Sequence, residues 1–223
     1  MRTYRKNKYL CRTKIIYKIM NKKLTIINIA LALVAILLVY LVFDSIRQPV
    51  AFENTRSERE VKVVQNLKDI RSSQTLFKQT YNRYTADFDS LIEYIKTGEL
   101  PVVNIVPDPE DTTFTKTIND TVGYVKVSDS LFRNRANFNV NDLRYIPYSN
   151  NEEFEMQAGF IVRGGLRVAV FEAKAPYKSY LNDDDKKFRQ RVNNLRAEQE
   201  DLGKYAGLKV GSMDEPSLNG NWE

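Results

Sequence analysis

Hydrophobic and polar positions alternate with three different rhythms along this chain. From Leu24 to Phe43, LTIINIALALVAILLVYLVF, twenty residues pass without a charge, and Thr25 and Asn28 are the only strongly polar side chains. A helix of that length spans roughly 30 Å at about 1.5 Å per residue, the thickness of a bilayer's hydrocarbon core. A helix apolar on every face needs complete burial in a soluble fold, so the run reads as a transmembrane helix. The bulky side chains of LVYLVFDSIRQ offer no small-x-small cleavage site, which favours an uncleaved signal-anchor over a signal peptide.

Residues 44 to 53, with Pro49 among them, read as a short linker. A period near 3.6 then takes over. Ser57 and Glu60 have capping-box spacing, and Val61, Val64, Leu67, Ile70, Gln74, Phe77 and Tyr81 follow at three- to four-residue steps. The other face carries Glu58, Lys62, Lys68, Arg71 and Lys78, a solvated surface. Asn82 ends this helix, and Thr85 to Asp89 begin a short second one through DSLIEYIKTGEL, closed by Gly98 and Pro101. Leu91, Ile92 and Ile95 are expected to pack it back on the first. Tyr81, Tyr84 and Phe88 cluster at the elbow between them, where a tyrosine keeps one side buried and one end wet. They are candidate contact residues as well as expected core.

Further on, PDPEDTT (107 to 113) reads as a loop and TVGYVKV (121 to 127) as a strand. The clearest period of two lies in EFEMQAGFIVRGGLRVAVFEAK, where Gly164-Gly165 suit a two-residue primed turn. Setting Arg163 opposite Leu166 puts Ile161, Val168 and Val170 on one face, and Phe160, Val162, Ala169 and Phe171 on the other. Both faces are apolar, so this hairpin is expected to be central and covered on both sides, by the first helix and by the C-terminal segment or a partner. After Pro176 a helix places Phe188, Val192, Leu195 and Leu202 at helical spacing and closes at Gly203. Leu208 to Val210 then add an edge strand, and Trp222 either docks on the domain or serves as a contact. The expected fold class is α+β: a single N-terminal transmembrane helix, a long amphipathic helix with a short second helix, an antiparallel sheet with a central hairpin, and a C-terminal helix. Residues 54–223 would form the extracytoplasmic domain.

Charge sharpens the topology. Nine of the 34 basic residues and none of the 28 acidic ones precede Asp44, so the remainder carries 25 basic against 28 acidic side chains. Lys22, Lys23 and the basic residues before them are expected to stay cytoplasmic, in a tail over residues 1–23. The chain from Asp44 onward is then expected in the periplasm, with the anchor in the inner membrane. Met20 opens MNKKLTIINIA, a compact anchor start, and is an alternative point of initiation. The basic excess belongs to the N-terminus, so the folded portion has no positive surplus for nucleic-acid phosphates, and no nucleic-acid partner is expected.

The chain has no histidine and one cysteine, Cys11. That excludes an intrachain disulfide, a zinc site of the usual Cys/His type, and Ser-His-Asp or Cys-His nucleophilic catalysis. Asp183, Asp184 and Asp185 could offer oxygens to calcium, as could Asp108, Glu110 and Asp111. Acids at a helix start already have a task in capping and in meeting the dipole, and the second group lacks the spacing of a calcium loop. Asp87, Asp89 and Glu93 lie within seven consecutive positions, which suits capping and solvation better than two carboxylates facing across a cleft. No cofactor is expected, and the chain is not expected to be an enzyme.

LKDIRSSQTLFKQTYNRYTADFDSLIEYI, behind an N-terminal anchor, resembles the segment order of type IV pilins and type II secretion pseudopilins over residues 24 to 100. In that family a membrane helix continues into an amphipathic one, a tyrosine-bearing elbow follows, and an antiparallel sheet packs on the helix. Prepilins carry a glycine just before the apolar segment and a glutamate five residues into the mature chain. NKKLTIINI has neither, so the resemblance implies the fold and the anchor but not prepilin-peptidase processing. The expected function is that of a bitopic bacterial envelope protein, a scaffold or assembly component acting through contacts with other envelope proteins or with itself. The alternative is a periplasmic ligand-binding or sensor domain using the tyrosine-rich elbow and the acidic loops.

Overall fold

The computed structural model describes residues 3–107, 117–135, 138–183 and 185–223, with side chains described from Leu24 onward except at 105–107 and 117–120. Asp108, Glu110, Asp111 and Asp184 lie outside the described residues. The chain forms two compact units, Met1–Asn54 and Thr55–Glu223. The molecule is mixed helix and sheet, as the hydrophobic periods predict.

Helix α1 (Thr3–Tyr81) is 79 residues long and supplies the described part of the first unit before opening the second. All of Leu24–Phe43 is exposed, and the helix is long and apolar enough there to cross a membrane, which fits a single-pass anchor. The linker expected over residues 44 to 53 is helical instead, with Pro49 inside α1. Proline forfeits one N–H to the carbonyl four residues back, and the intact turns on either side carry the helix through that single gap. Gln48 also ties this stretch to the turn before it, donating from Nε2 to Asp44 Oδ2 at 2.9 Å.

Within the second unit the buried stripe of α1 is Val63, Leu67, Ile70, Gln74 and Phe77, with Ser73 beside it. Expected core residues Val61 and Tyr81 are 64% and 52% exposed. Stepping back four residues from Leu67 reaches Val63, and Val61 then lies away from the core. The solvated face is also only partly free. Arg71 donates to the Leu218 carbonyl at 3.2 Å and to Glu223 at 2.7 Å, and Lys78 stands over the Tyr84 ring at 4.9 Å. Asp69, on this helix, is buried and takes both guanidinium branches of Arg135.

Asn82 ends α1 in a left-handed conformation, its N–H donating to the Lys78 carbonyl at 2.8 Å. Helix α2 (Phe88–Thr97) starts at the Asp87 cap and stops at Gly98, with Leu91, Ile92 and Ile95 buried as expected. The chain turns directly into strand β1 (Glu99–Pro107), paired antiparallel with β2 (Thr117–Lys126) in a two-stranded sheet. The residues read as the second helix's stop signal thus open a strand. Pro101 is tolerated because a two-stranded ribbon leaves every second peptide N–H facing away from its partner. The strand expected over 121 to 127 ends at Lys126, and Val127 begins helix α3 (Val127–Phe132). A 3-10 turn follows at Val140–Arg144.

The second sheet has the order β3-β4-β5, from β3 (Glu155–Arg163), β4 (Leu166–Pro176) and β5 (Gly207–Gly211). Its hairpin has the expected register, Arg163 opposite Leu166 and Phe160 opposite Ala169. Gly164 and Gly165 have φ of 56° and 79°, the left-handed pair a type I′ turn demands. The expectation of a hairpin covered on both sides holds only for β4, where Ala169–Ala173 are buried without a break. On one face Tyr84 meets Phe171 and Gln74 reaches Met156, while on the other a methyl carbon of Met213 lies 3.2 Å from where a Gly159 Cβ would stand. The β3 side and the tip run past this cover, and β3 is an edge strand.

After β4 a single turn, α4 (Tyr177–Tyr180), leads to α5 (Lys186–Asp201), whose first turn is capped by Asp185 through the Lys187 N–H at 2.9 Å. Val192 is buried and Leu202, expected in the same stripe, is 60% exposed at the C-cap. The expected strand at Leu208 to Val210 is β5. Its outer edge is closed by the tail, with Gly211 N–H on the Asn219 carbonyl and Asn221 N–H on the Lys209 carbonyl.

Candidate functional site

Three features of the second unit bear on function: the elbow, a cleft beside the C-terminus, and the exposed end of the β3–β4 hairpin. At the elbow, Gln74 is fully buried, and its amide imitates a peptide group. Nε2 donates to the Thr85 carbonyl at 2.6 Å and Oε1 accepts from the Thr85 N–H at 3.1 Å. Asp87 accepts from Ser90 N–H at 2.9 Å and Asp89 N–H at 3.2 Å, and from the Ser90 hydroxyl. Those hydrogen bonds hold its carboxyl below the ordinary carboxylate range. Asp89 pairs instead with Arg144.

Tyr84 and Phe88 are buried, as their place in the elbow predicts. Tyr81 is half in water, its ring 4.6 Å from Phe77 and 5.7 Å from Tyr94. Tyr94, not singled out by the sequence, is the buried tyrosine that joins the two helices. Its hydroxyl donates to the Leu76 carbonyl at 3.1 Å and meets Thr80 Oγ1 at 2.8 Å. The elbow is therefore filled by its own side chains and clamped by Gln74.

A cleft of about 560 Å³ lies elsewhere, lined among others by Arg56, Glu60, Tyr177, Lys204, Tyr205 and Trp222. Arg56 Nε holds Glu60 at 2.8 Å, and the Tyr180 hydroxyl lies 3.5 Å from the same carboxylate oxygen. Burial, reinforced by Glu60, pushes the Tyr177 and Tyr180 phenols up, and burial does the same to Tyr205, so all three stay neutral donors. Behind the cleft Glu172 is buried between Lys174 and Lys209, with Lys209 Nζ at 3.0 Å. Burial alone raises a carboxyl, but the two lysines outweigh it and leave Glu172 below its ordinary value. Trp222 docks here, its ring against Gly220, and its buried Nε1 has no hydrogen-bond partner among the described residues. Tyr177 and Tyr205 escaped the sequence reading because nothing in their spacing links them to Arg56 on α1.

Along the hairpin Phe160, Val162 and Leu166 are exposed, Val162 and Leu166 to 73% and 72%. The Arg167 guanidinium covers the Phe160 ring at 4.0 Å, and Arg163 reaches Glu215 at 3.6 Å. Tyr81, Tyr84 and Phe88 are thus grouped at the elbow, while Trp222 belongs to the cleft, and the structure does not bring these candidates into one site. No group of three or more acidic or cysteine side chains placed to hold a metal occurs among the described residues. Comparison of the chain with protein-family models, with characterised proteins and with solved structures finds no match.

Proposed function

We propose that this is a bitopic envelope protein whose Thr55–Glu223 unit acts as a pilin-like scaffold or assembly component through protein contacts outside the cytoplasm. The observation that carries the reading is the exposed apolar end of the β3–β4 hairpin, with Phe160 and Val162 on one face and Leu166 on the other, beyond the part of the sheet that the chain itself covers. Large apolar side chains left exposed at the end of a rigid strand pair favour a partner, since Val162 and Leu166 stand mostly in water and Phe160 lies under the Arg167 guanidinium. A solid elbow supports the same reading, because its tyrosines and aspartates are occupied with packing and capping. The order of anchor, long helix, elbow and antiparallel sheet is the order implied by the resemblance to type IV pilins and type II secretion pseudopilins. Without the prepilin glycine and glutamate, the anchor is retained and unprocessed.

Crosslinking in intact cells, with lysine-reactive reagents of several lengths and identification of the products by mass spectrometry, tests this. Crosslinked species containing a second polypeptide are expected, and recovery of the monomer alone at every length would count against the scaffold. One observation favours a ligand-binding alternative, the aromatic cleft of Tyr177, Tyr205 and Trp222, rather than the elbow. Under that alternative a Tyr205→Ala variant changes function and leaves the crosslinks intact.

A further inference from the structure

We infer that the cleft beside the C-terminus binds a small carboxylic acid that carries an aromatic ring, a function that goes beyond the scaffold reading and does not depend on it. The chain builds the walls from distant places. Arg56 and Glu60 come from α1, Tyr177 from the turn after β4, and Lys204, Tyr205 and Trp222 from the segments after α5 and β5. All of them belong to Thr55–Glu223, so the cleft is formed within one unit. Its volume of about 560 Å³ falls among those of small-molecule sites, about 300–1,000 Å³. Tyr177, Tyr205 and the only tryptophan of the chain give it aromatic walls, which suit a planar apolar guest through burial and ring contact. The elbow, by contrast, fills its own space.

The polar groups decide the charge of that guest. Glu60 is the only acid in the lining, and it is already engaged: it accepts from Arg56 Nε at 2.8 Å and lies 3.5 Å from the Tyr180 hydroxyl. Lys209, also in the lining, is matched by Glu172 at 3.0 Å. Lys204 is exposed and has no ion pair among the described residues. The Tyr177 and Tyr205 phenols keep their protons, because burial disfavours phenolate. Trp222 Nε1 is a donor that lacks an acceptor among the described residues. What the lining leaves unmatched is thus one ammonium and N–H or O–H donors, with no acid left over. Glu155 and Glu198 act on Tyr205 and Tyr177 from outside the lining and weaken its positive field without occupying it. A single carboxylate meets the Lys204 ammonium in a charge-assisted hydrogen bond. An amine would set like charge against Lys204, and a phosphate or diacid would bring a second negative charge to the side of Glu60.

The test uses the full chain in dodecyl maltoside micelles, with phenylacetate as the probe. Trp222 is the only tryptophan, so its emission reports from the wall of the cleft itself. Phenylacetate is expected to change that emission saturably. Phenylacetamide and phenethylamine keep the ring but lack the negative charge, and each should bind at least about fivefold more weakly. Lys204→Met should weaken phenylacetate by about fivefold and leave phenylacetamide unchanged, while Lys204→Arg binds as the parent does. An exposed lysine contributes little to folding, so the urea midpoint of Lys204→Met should equal that of the parent. Tyr205→Ala removes a wall and should weaken acid and amide alike. The absence of a saturable response overturns the inference, as does equal affinity for acid and amide or an unchanged affinity in Lys204→Met. A response that Tyr205→Ala leaves intact places the probe in the micelle and overturns it too. The scaffold is judged separately by its crosslinks in cells: binding without crosslinks removes the scaffold and keeps the ligand, and crosslinks without binding do the reverse.

Discussion

Gln74 sits where the period of α1 calls for an apolar side chain, and its amide holds the elbow as a third peptide group would. Gln74→Leu fills the same space but leaves the Thr85 N–H and C=O without their partner. A loss of about 2 kcal/mol is expected, from two peptide groups deprived of hydrogen bonds in a partly buried place. Urea denaturation of the full chain in micelles measures it, and a change within about 0.5 kcal/mol would show that water replaces the clamp. Glu172 makes a pH-dependent contribution. Its folded value lies below its unfolded one, so the stabilisation is fully present above the unfolded pKa of about 4.3 and disappears as pH falls through the folded value. Glu172→Gln should flatten the acid limb of a melting-temperature profile, and a limb of unchanged slope would assign it to other carboxylates. Tyr84 and Phe88 were legible as core because they lie at the joint between two helices that local sequence defines, although the ring that Tyr84 meets is that of distant Phe171. Glu172 was not, since Lys209 is brought to it only by the pairing of β4 with β5.

Elements were legible where local chemistry alone decides them. The register of the β3–β4 hairpin follows from Gly164-Gly165, and the start of α2 from an aspartate whose side chain accepts from the N–H groups two and three residues on. Coverage was not legible, because it depends on how far distant segments extend over the sheet. β1 was missed for a related reason: Gly98 and Pro101 are stop signals for a helix and are equally compatible with an edge strand that begins at once. Pro49 shows the limit of a local breaker, since α1 passes through it. Two glycines test how the sheet is held. Gly165→Ala meets open space and suffers only the left-handed backbone, an expected loss of about 1 kcal/mol. At Gly211, also left-handed with φ of 77°, a Cβ would stand 2.2 Å from the Phe171 carbonyl oxygen. That atom belongs to the central strand and cannot withdraw without breaking the ladder, so Gly211→Ala should lose at least about 3 kcal/mol. Equal urea midpoints for the two variants would show that β5 adjusts independently of β4.

At the scale of the whole chain, function depends on which side of the membrane Thr55–Glu223 occupies, and charge is the physical determinant available. Nine basic residues precede Asp44 with no acid among them, seven of them before Lys22. Positive flanks are retained on the cytoplasmic side, and the retention scales with the number of charges close to the span. An alkaline phosphatase reporter fused after Glu223, active only outside the cytoplasm, should therefore be active, with the chain resisting alkaline carbonate extraction. Replacing Lys22 and Lys23 by glutamate in the full chain leaves seven basic residues on that flank, so reporter activity should change little. In a chain begun at Met20 the same two lysines are the only basic residues before the span, and their replacement should lower reporter activity at least about twofold as a fraction of molecules inserts the other way. Activity equal in both backgrounds would mean that the domain after Asp44, not the charge before Leu24, sets the orientation. An inactive reporter on the unaltered chain would place the β3 edge and the cleft in the cytoplasm, and with them any partner.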